Sequence, residues 1–353
     1  MVRCDGLSAE EPRTVQNLPF SHPNMQKLLQ KVAGSTAARD LLYPLADRVL
    51  HSYGAVRFRR YDVNDTIALV STGRGGSTWL AELVMKLPNR VLLWEPLHLG
   101  NNPYVARFGL GWNPYVPRAE EAPELEAYLN RLMTGRALST STLTSLNLNL
   151  RSLANPEGFV VKFVQGHGLM PWFTRRFDVP VIGLVRHPCA VVSSQLKHGN
   201  SWRSLTKSKL DVPDRVWEDY PHWREVYDRI ETTEEALAFA WAIKTHFLLE
   251  SDYRLIVFYE EMVESPASTA EEIFSSLGVE TPAGALGQMA APSATTHAGT
   301  VYTNSSNRLD SWTRNLSLVD QGRILSVCHD IGVRFYTSDL MPDSKSMGGK
   351  QHS

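Results

Sequence analysis

The chain has 353 residues, of which 43% are hydrophobic and 21% charged, and its 36 lysine and arginine residues nearly balance 37 acidic residues. This composition is typical of a globular protein, and the lack of a basic excess argues against nucleic acid or a membrane surface as a partner. Because single cores usually stop growing near about 250–300 residues, we expect one main domain with appendages.

Residues 1–64 predict a polar lead-in followed by helices that pack on the main domain. Residues 24–52 carry helical apolar spacing, with a break expected at Pro44. Residues 1–20 contain no apolar stretch of signal-peptide length, and no run in the chain approaches the roughly 18 apolar residues of a membrane span. These features predict a cytoplasmic protein without a membrane span.

Residues 65–336 predict the main α/β domain. Five short runs are apolar at almost every position, as expected of strands buried on both faces, and helical segments separate them. The runs are TIALVS (66–71), RVLLWE (90–95), FVVKFV (159–164), PVIGLV (180–185) and RLIVFY (254–259). They predict a P-loop-like parallel sheet of about five strands flanked by helices. Ligands of such sheets bind at the carboxyl ends of the strands.

Two long inserts interrupt this pattern, at residues 98–118 and 198–223, and both are polar and rich in aromatic residues. Loops of this length usually form a binding surface or are disordered, and the aromatic side chains favour a binding surface. Trp112, in the first insert, is therefore a candidate ligand contact, although packing of the loop on the domain explains it equally well. Residues 337–353 are polar, and we expect them to be disordered.

The segment TGRGGSTWL (72–80) follows the first predicted strand directly. The leucine and valine residues after it recur at helical spacing, which places residues 73–77 on a strand-to-helix turn. At such a turn, unpaired N–H groups and the helix dipole favour an anion, and glycines let the backbone approach it. Arg74 adds a permanent positive charge. A Gly-rich turn without a ligand is the alternative interpretation.

The spacing of this segment differs from that of an ATP-binding loop, G-x-x-x-x-G-K-[ST], which places a lysine on the phosphates and a hydroxyl on magnesium. Here only two residues separate Gly73 from Gly76, and Ser77 stands where that loop has its lysine. The segment therefore predicts a site for a single terminal phosphate that needs no metal. The three widely spaced cysteines likewise show no metal-ligand pattern.

A second candidate anion site follows the fourth predicted strand, in LVRHPCAVVSS (184–194). Pro188 suits the first turn of a helix, which places Arg186 at the carboxyl end of the strand and Ser194 about two turns into the helix. An arginine at a strand end is by itself more often a surface charge. Beside a phosphate loop, however, it predicts a second anion site.

Together, these two segments resemble motifs of the sulfotransferases that use 3′-phosphoadenosine 5′-phosphosulfate (PAPS). TGRGGSTWL is similar to their 5′-phosphosulfate loop, and an arginine followed eight positions later by a serine is similar to their 3′-phosphate motif. The resemblance implies the following donor-binding residues: Arg74, Gly75, Gly76, Ser77, Thr78, Trp79, Arg186 and Ser194. A donor with a phosphosulfate and a separate 3′-phosphate needs two anion sites, which agrees with the residues themselves.

Weaker matches extend the resemblance over residues 65–336, in the segments 92–98, 254–279 and 309–336. They place the chain nearer the carbohydrate and tyrosylprotein branches of the family than the cytosolic small-molecule branch. Two departures are that His187 stands where the family usually has Asp or Asn, and that the cytosolic branch's C-terminal Arg-Lys-Gly stretch is missing.

The resemblance also implies catalytic roles. Arg74 would stabilise charge on the departing phosphate, and Glu95 matches the glutamate that acts as base in the tyrosylprotein branch. His98 and His167 are rival bases, because the cytosolic branch uses a histidine. Lys162 is similar to that branch's strand lysine and would contact donor or acceptor, unless it only faces a polar cleft.

We therefore predict an enzyme that moves a sulfuryl group from PAPS to an acceptor hydroxyl by in-line displacement, producing adenosine 3′,5′-bisphosphate (PAP) and requiring no metal. The acceptor is expected to be a carbohydrate or a small alcohol or phenol, contacted by His98, Lys162 and Trp112. One alternative is a nucleotide-dependent kinase or NTPase, which would need magnesium and a loop lysine. The other is a non-catalytic module that binds adenosine bisphosphate or a glycan. The sequence predicts no oligomeric state.

Overall fold

A computed structural model describes residues 36–143, 150–291, 293, 306–343 and 345 of the chain. The chain divides into two compact units, Met1–Val49 and Leu50–Ser353. In the first unit the described residues are helical, and the expected lead-in of residues 1–22 lies outside the described part. The packing of residues 1–64 on the main domain stays a prediction.

The second unit is built on a parallel sheet. Its strands are β1 (Ile67–Ser71), β2 (Arg90–Trp94), β3 (Gly158–Phe163), β4 (Val181–Val185) and β5 (Leu255–Phe258). They pair in the order β2-β3-β1-β4-β5, and every pair is parallel. Each strand bound lies within one residue of the position expected from the sequence. The predicted α/β architecture is therefore confirmed.

Helices connect and cover these strands. They are α1 (Thr36–Arg57), α2 (Ser77–Val84), α3 (Pro123–Met133), α4 (Leu150–Ala154), α5 (Met170–Arg176), α6 (Pro188–His198), α7 (Asn200–Arg203), α8 (Asp214–Asp219), α9 (His222–Asp228), α10 (Thr233–Glu250), α11 (Tyr259–Glu264), α12 (Pro266–Ser276), α13 (Ala285–Ala290), α14 (Ser306–Leu309), α15 (Ser311–Asn315) and α16 (Leu318–Ile331). Short 3₁₀ helices lie at Val63–Asp65, Pro103–Phe108 and Lys207–Lys209.

The predicted helix break at Pro44 was wrong, because Pro44 lies inside α1. A proline can kink a helix without ending it.

Two hydrophobic cores cover the two faces of the sheet. Leu69 of β1 belongs to the core formed with α2, α12 and α13. Its neighbour Val70 belongs to the core formed with α3, α5, α6, α10 and α16. Successive strand residues point to opposite faces, so a strand covered on both sides is apolar throughout. This double burial explains why every residue of β1, β3 and β4 is buried.

The central strands β1 and β4 create a crevice at their carboxyl ends. They are neighbours in the sheet, yet β1 leads into α2 on one face and β4 leads into α6 on the other. Because the two connections leave in opposite directions, the sheet edge between them stays open, which is where open α/β sheets bind ligands. The Gly-rich segment and Arg186 both lie at this opening.

A buried carboxyl group holds the backbone next to Arg186. The His187 N–H donates to Glu260 Oε1 at 2.9 Å, and the Tyr336 hydroxyl donates to Glu260 Oε2 at 2.7 Å. Burial raises the pKa of Glu260, with these hydrogen bonds opposing the shift. Trp312 stacks on the His187 ring at 4.4 Å between centroids. The network therefore ties the end of β4 to the C-terminal part of the domain.

Residues 337–343 lie within the segment expected to be disordered, and the structure describes them in contact with the domain. The Thr337 carbonyl accepts a hydrogen bond from His187 Nε2 at 3.0 Å, and the Asp343 N–H donates to the Phe335 carbonyl at 2.8 Å. Residues 346–353 lie outside the described part. Across the described residues, no helix combines the length and the apolar character that a bilayer crossing demands.

We predict that Tyr336→Phe lowers the free energy of unfolding by about 1–3 kcal/mol, because Glu260 then loses a hydrogen-bond donor in a buried site. Urea denaturation measures this change. Tyr104→Phe, which removes a hydroxyl from a side chain that is 51% exposed, is the matched control and should change stability by less than about 0.5 kcal/mol. Equal effects of the two substitutions would contradict the role of Glu260.

Candidate active site

A cavity of about 1020 Å³ opens at the carboxyl ends of the strands. Apart from Gly75 and the rival base His167, all the residues singled out for donor, catalysis and acceptor line it: Arg74, Gly76, Ser77, Thr78, Trp79, Glu95, His98, Trp112, Lys162, Arg186 and Ser194. Its described lining contains eight lysine or arginine side chains and one carboxylate, that of Glu95. A pocket with this charge balance favours a ligand that carries several negative charges.

The Gly-rich segment forms a tight turn between β1 and α2. Gly76 is the N-cap of α2 and has φ of 101°, a conformation that side chains rarely adopt. A Cβ at Gly76 would lie 2.7 Å from the Tyr259 ring, and one at Gly75 would lie 2.5 Å from Ser71 Oγ. Glycine is therefore required at both positions. Ser77 and Thr78, in the first turn of α2, line the cavity, and N–H groups in the first turn of a helix have no partner within the helix.

The two predicted anion sites are in direct contact. Arg74 Nε donates to Ser194 Oγ at 3.1 Å, so the turn after β1 contacts the helix after β4. Arg186 Nη1 donates to the Arg74 carbonyl at 3.2 Å, and Gln195 Nε2 donates to the Gly73 carbonyl at 3.0 Å. These contacts hold the turn against α6, and they place two guanidinium groups beside one crevice.

Arg186 has one buried donor without a partner. Its Nε is shielded from water and has no hydrogen-bond partner among the described residues, while Nη2 lies 3.5 Å from the Arg308 carbonyl. The guanidinium lies 4.2 Å from the Tyr259 ring centroid, a cation–π contact that holds it in place. Tyr259 in turn packs against Trp79. The aromatic pair and the arginine thus form one wall of the cavity.

Lys162 contacts both the first turn of α2, which follows the Gly-rich segment, and Glu95, the predicted base. Its Nζ lies 2.8 Å from Glu95 Oε1 and 3.3 Å from Thr78 Oγ1, and it lies 3.4 Å from the centroid of the Trp94 ring. Lys162 is 1% exposed, and burial lowers the pKa of its ammonium, whereas the charge of Glu95 opposes that shift. The ion pair keeps a charged lysine inside the sheet.

Both residues expected to carry the chemistry have unusual backbone conformations. Arg74 has φ of 72° and Glu95 has φ of 42°, and only two other non-glycine residues in the described part have a positive φ, Asn89 and Asp211. Such conformations cost on the order of 1–3 kcal/mol and are concentrated at functional sites. The strain at these two positions therefore supports a functional role for both side chains.

The rival bases lie in different places. His98 lines the cavity, packs edge-to-face on Trp112 at 5.3 Å between centroids, and has a buried Nδ1 without a described partner. His167 is 1% exposed and does not line the large cavity within the described part. Burial lowers the pKa of His167 to about 3. The geometry therefore favours Glu95 or His98 over His167.

The order of the strands arranges these groups in a row. Arg186 follows β4, the Gly-rich turn follows β1, Lys162 belongs to β3, and Glu95 follows β2. Since neighbouring strands lie about 4.8 Å apart, Glu95 and Arg186 are separated by about 14 Å across the sheet. The turn lies between them, so a ligand that spans the row would meet each group in sequence.

The structure adds residues to the cavity wall that the sequence did not single out, among them Tyr259, Gln195, Arg308 and Lys244. Each of them is far along the chain from the Gly-rich turn, and no motif spacing relates them to it. Lys244 lies in the middle of α10, and the sequence alone would predict an ordinary surface lysine there. Only the packing of α10 against the sheet places it in the cavity.

The chain matches no protein-family model and no curated protein sequence. Among solved structures, it is similar to mouse sulfotransferase SULT7A1 complexed with PAP, at 14% identity over 77% of this chain and 85% of that chain, with a TM-score of 0.37. It is similar to the sulfotransferase domain of the Synechococcus PCC 7002 olefin synthase, at 17% identity over 75% and 93% of the two chains, with a TM-score of 0.38. A sulfotransferase from Alicyclobacillus acidocaldarius matches at 13% identity over 74% and 95%, with a TM-score of 0.35.

We predict that Glu95→Ala destabilises the fold by about 3 kcal/mol, because it leaves the buried ammonium of Lys162 without its counter-charge. The double variant Lys162→Met/Glu95→Ala should be more stable than Glu95→Ala alone, since no unpaired charge is left. Urea denaturation measures both. Asp252→Ala, which breaks the exposed Arg118–Asp252 pair, is the matched control and should cost less than about 1 kcal/mol. Strictly additive losses in the double variant would contradict the pairing.

Proposed function

We propose that this protein is a sulfotransferase that uses PAPS as donor, transfers the sulfuryl group to a hydroxyl of an acceptor, and produces PAP. The observation that carries the proposal is the position of Lys162, whose ammonium contacts Thr78 in the first turn of α2 and also contacts Glu95. A donor-binding turn and a carboxylate that can accept a proton therefore lie within the reach of one side chain. Transfer of a charged group between two oxygens requires this proximity.

The donor side of the cavity fits a nucleotide with two separate anionic groups. The Gly75 N–H donates to the Thr72 carbonyl within the turn, so the N–H groups of residues 76–79, with Arg74, would bind the 5′-phosphosulfate. Arg186 and Ser194 would bind the 3′-phosphate, which gives the buried Arg186 Nε a partner. Trp79 and Tyr259 provide an aromatic wall beside these groups that suits a purine ring. When bound, the donor supplies the sulfuryl group that is transferred.

The acceptor side provides a proton acceptor and a positive charge. Glu95 accepts the proton of the acceptor hydroxyl as the new S–O bond forms. Protonation makes Glu95 neutral, so the charge of Lys162 is then uncompensated at Thr78, beside the turn where negative charge develops. Fixed charges of this kind stabilise a transition state without reorganisation, and Arg74 contributes in the same way. Lys162 thus couples proton removal to charge stabilisation.

We further propose that the acceptor is a carbohydrate or a small alcohol or phenol. Trp112 is 47% exposed and carries the His98 ring against its edge at the cavity. A flat aromatic surface of this kind suits the apolar face of a sugar or an aromatic ring. The acceptor hydroxyl would then lie between this surface and Glu95.

We predict that Arg186→Ala weakens the binding of PAP by about tenfold or more relative to its effect on adenosine 5′-phosphate, because the lost charge-assisted contact serves only the 3′-phosphate. Isothermal titration calorimetry with both nucleotides measures the ratio. Arg60→Ala, which removes an exposed arginine outside the cavity, is the matched control and should leave the ratio unchanged. Equal losses for the two nucleotides in Arg186→Ala would count against the 3′-phosphate assignment.

We predict that the protein adds one SO₃ group to a hydroxyl acceptor when it is incubated with PAPS and a panel of sugars, alcohols and phenols. Glu95→Gln should lower kcat by about 100-fold or more, because it removes the general base, while PAP affinity stays close to that of the unaltered protein. Mass spectrometry of the panel measures the transfer. Transfer of phosphate from ATP with magnesium would favour a kinase instead, and an unchanged rate in Glu95→Gln would assign the proton to His98.

A further inference from the structure

One face of α10 forms a wall of the cavity. Leu237, Ala240, Trp241 and Lys244 line the cavity, with the spacing of residues on a single helix face. Lys244 also lines a small adjoining pocket together with Asn113 and His167. The other residues of that pocket follow β3 or belong to the first insert, the second insert and α10. Lys244 therefore belongs to the acceptor end of the cavity.

No described residue provides a counter-charge for the ammonium of Lys244. It makes no hydrogen bond or ion pair with any residue that the structure describes. Lys244 is half-buried, and removal of its ammonium from water lowers the pKa to about 8. A lysine without a partner in a partly dry site is unfavourable unless a ligand supplies the missing charge.

Other polar groups beside Lys244 also have unused hydrogen-bonding capacity. Both ring nitrogens of His167 are buried and have no partner in the described part, and the same holds for Gln165 Oε1. Burial, together with the charge of Lys244, lowers the pKa of His167 to about 3, so the imidazole is neutral. A neutral imidazole carries one N–H donor. The small pocket has a volume of about 10 Å³, which is too small for a carboxylate, so an anion at Lys244 would lie in the large cavity that Lys244 also lines.

The rest of the cavity cannot supply that anion. Glu95 provides the single carboxylate in the described lining, and it is already paired with Lys162 at 2.8 Å. The two groups assigned to the donor's phosphates, Arg74 and Arg186, follow β1 and β4 rather than β3. An anion at Lys244 would therefore come from the second substrate.

We propose that Lys244 binds a carboxylate of the acceptor, so that the acceptor is a hydroxyl compound that also carries an acid group, such as an acidic sugar or a hydroxyaryl acid. Asn113, which also lines the large cavity, would donate to the same carboxylate. This inference rests on the proposed function and adds the charge of the substrate to it. The hydroxyl that reacts would lie between this anchor and Glu95.

The test compares matched acceptors that differ only in charge. One pair is 4-hydroxyphenylacetate and 4-hydroxyphenylacetamide; the other is octyl β-D-glucuronide and octyl β-D-glucuronamide. Calorimetry on the full-length protein saturated with PAP measures the affinity for each, and initial rates with PAPS measure KM. In at least one pair, we expect the carboxylate to bind about tenfold or more tightly than its neutral partner, as a charge-assisted contact implies. Lys244→Met should abolish this preference, and Lys244→Arg should retain part of it.

Lys86→Met is the matched control, because it removes an exposed lysine outside the cavity and should keep the preference. PAP affinity checks that each variant is folded. A preference that is equal in the unaltered protein and in Lys244→Met, or the lack of a preference in both pairs, would overturn the inference while leaving the sulfotransferase assignment intact. Failure of the unaltered protein to bind PAP would instead overturn the proposed function. In that case, the affinities of the unaltered protein and of Lys244→Met for the acceptor pairs, measured without PAP, would still test whether Lys244 binds a carboxylate.

Discussion

A lysine inside a doubly covered sheet determines how the site is assembled. Lys162 is fully buried on β3, and an ammonium in such a place must have a partner or lose its proton. The partner is Glu95, which the next strand of the sheet brings alongside. The same ammonium contacts Thr78 on α2. The requirement to neutralise one buried charge thus brings Glu95, the proposed base, next to the helix that follows the Gly-rich turn.

The rest of the cavity follows from the point where the connections of the sheet change direction. Because α2 and α6 cover opposite faces, the edge between β1 and β4 is open. Arg74 extends from one side of this opening and Ser194 from the other, and they make contact across it. The positive φ of Arg74 is maintained by packing around the turn, including the hydrogen bond from Arg186 to its carbonyl. The strained turn is therefore stabilised by the groups that are proposed to share its ligand.

Charged groups are distributed unevenly along the cavity, so the end at β1 and β4 differs from the end at β2 and β3. At β1 and β4, guanidinium groups lie beside backbone N–H groups and an aromatic wall. At β2 and β3, Glu95 and Lys162 neutralise each other, whereas Lys244 has no counter-charge among the residues that the structure describes. A ligand with two anionic groups suits the first end, whereas a hydroxyl compound with one acid group suits the second. The two substrates would meet at the Gly-rich turn.

The sequence by itself determined the strands, the turn and the helix after it, because burial on two faces requires continuous apolar runs and a close backbone approach requires glycine. These are local requirements, so they are visible in short segments such as residues 66–80. Only the tertiary structure decided which distant side chains share the cavity. The contact of Lys162 with Glu95, the wall formed by Arg308, and the position of Lys244 depend on strand order and on the rotation of α10. Neither the strand order nor the rotation of α10 produces a periodic or spacing pattern in the sequence, because both are set by packing between elements that are far apart in the chain.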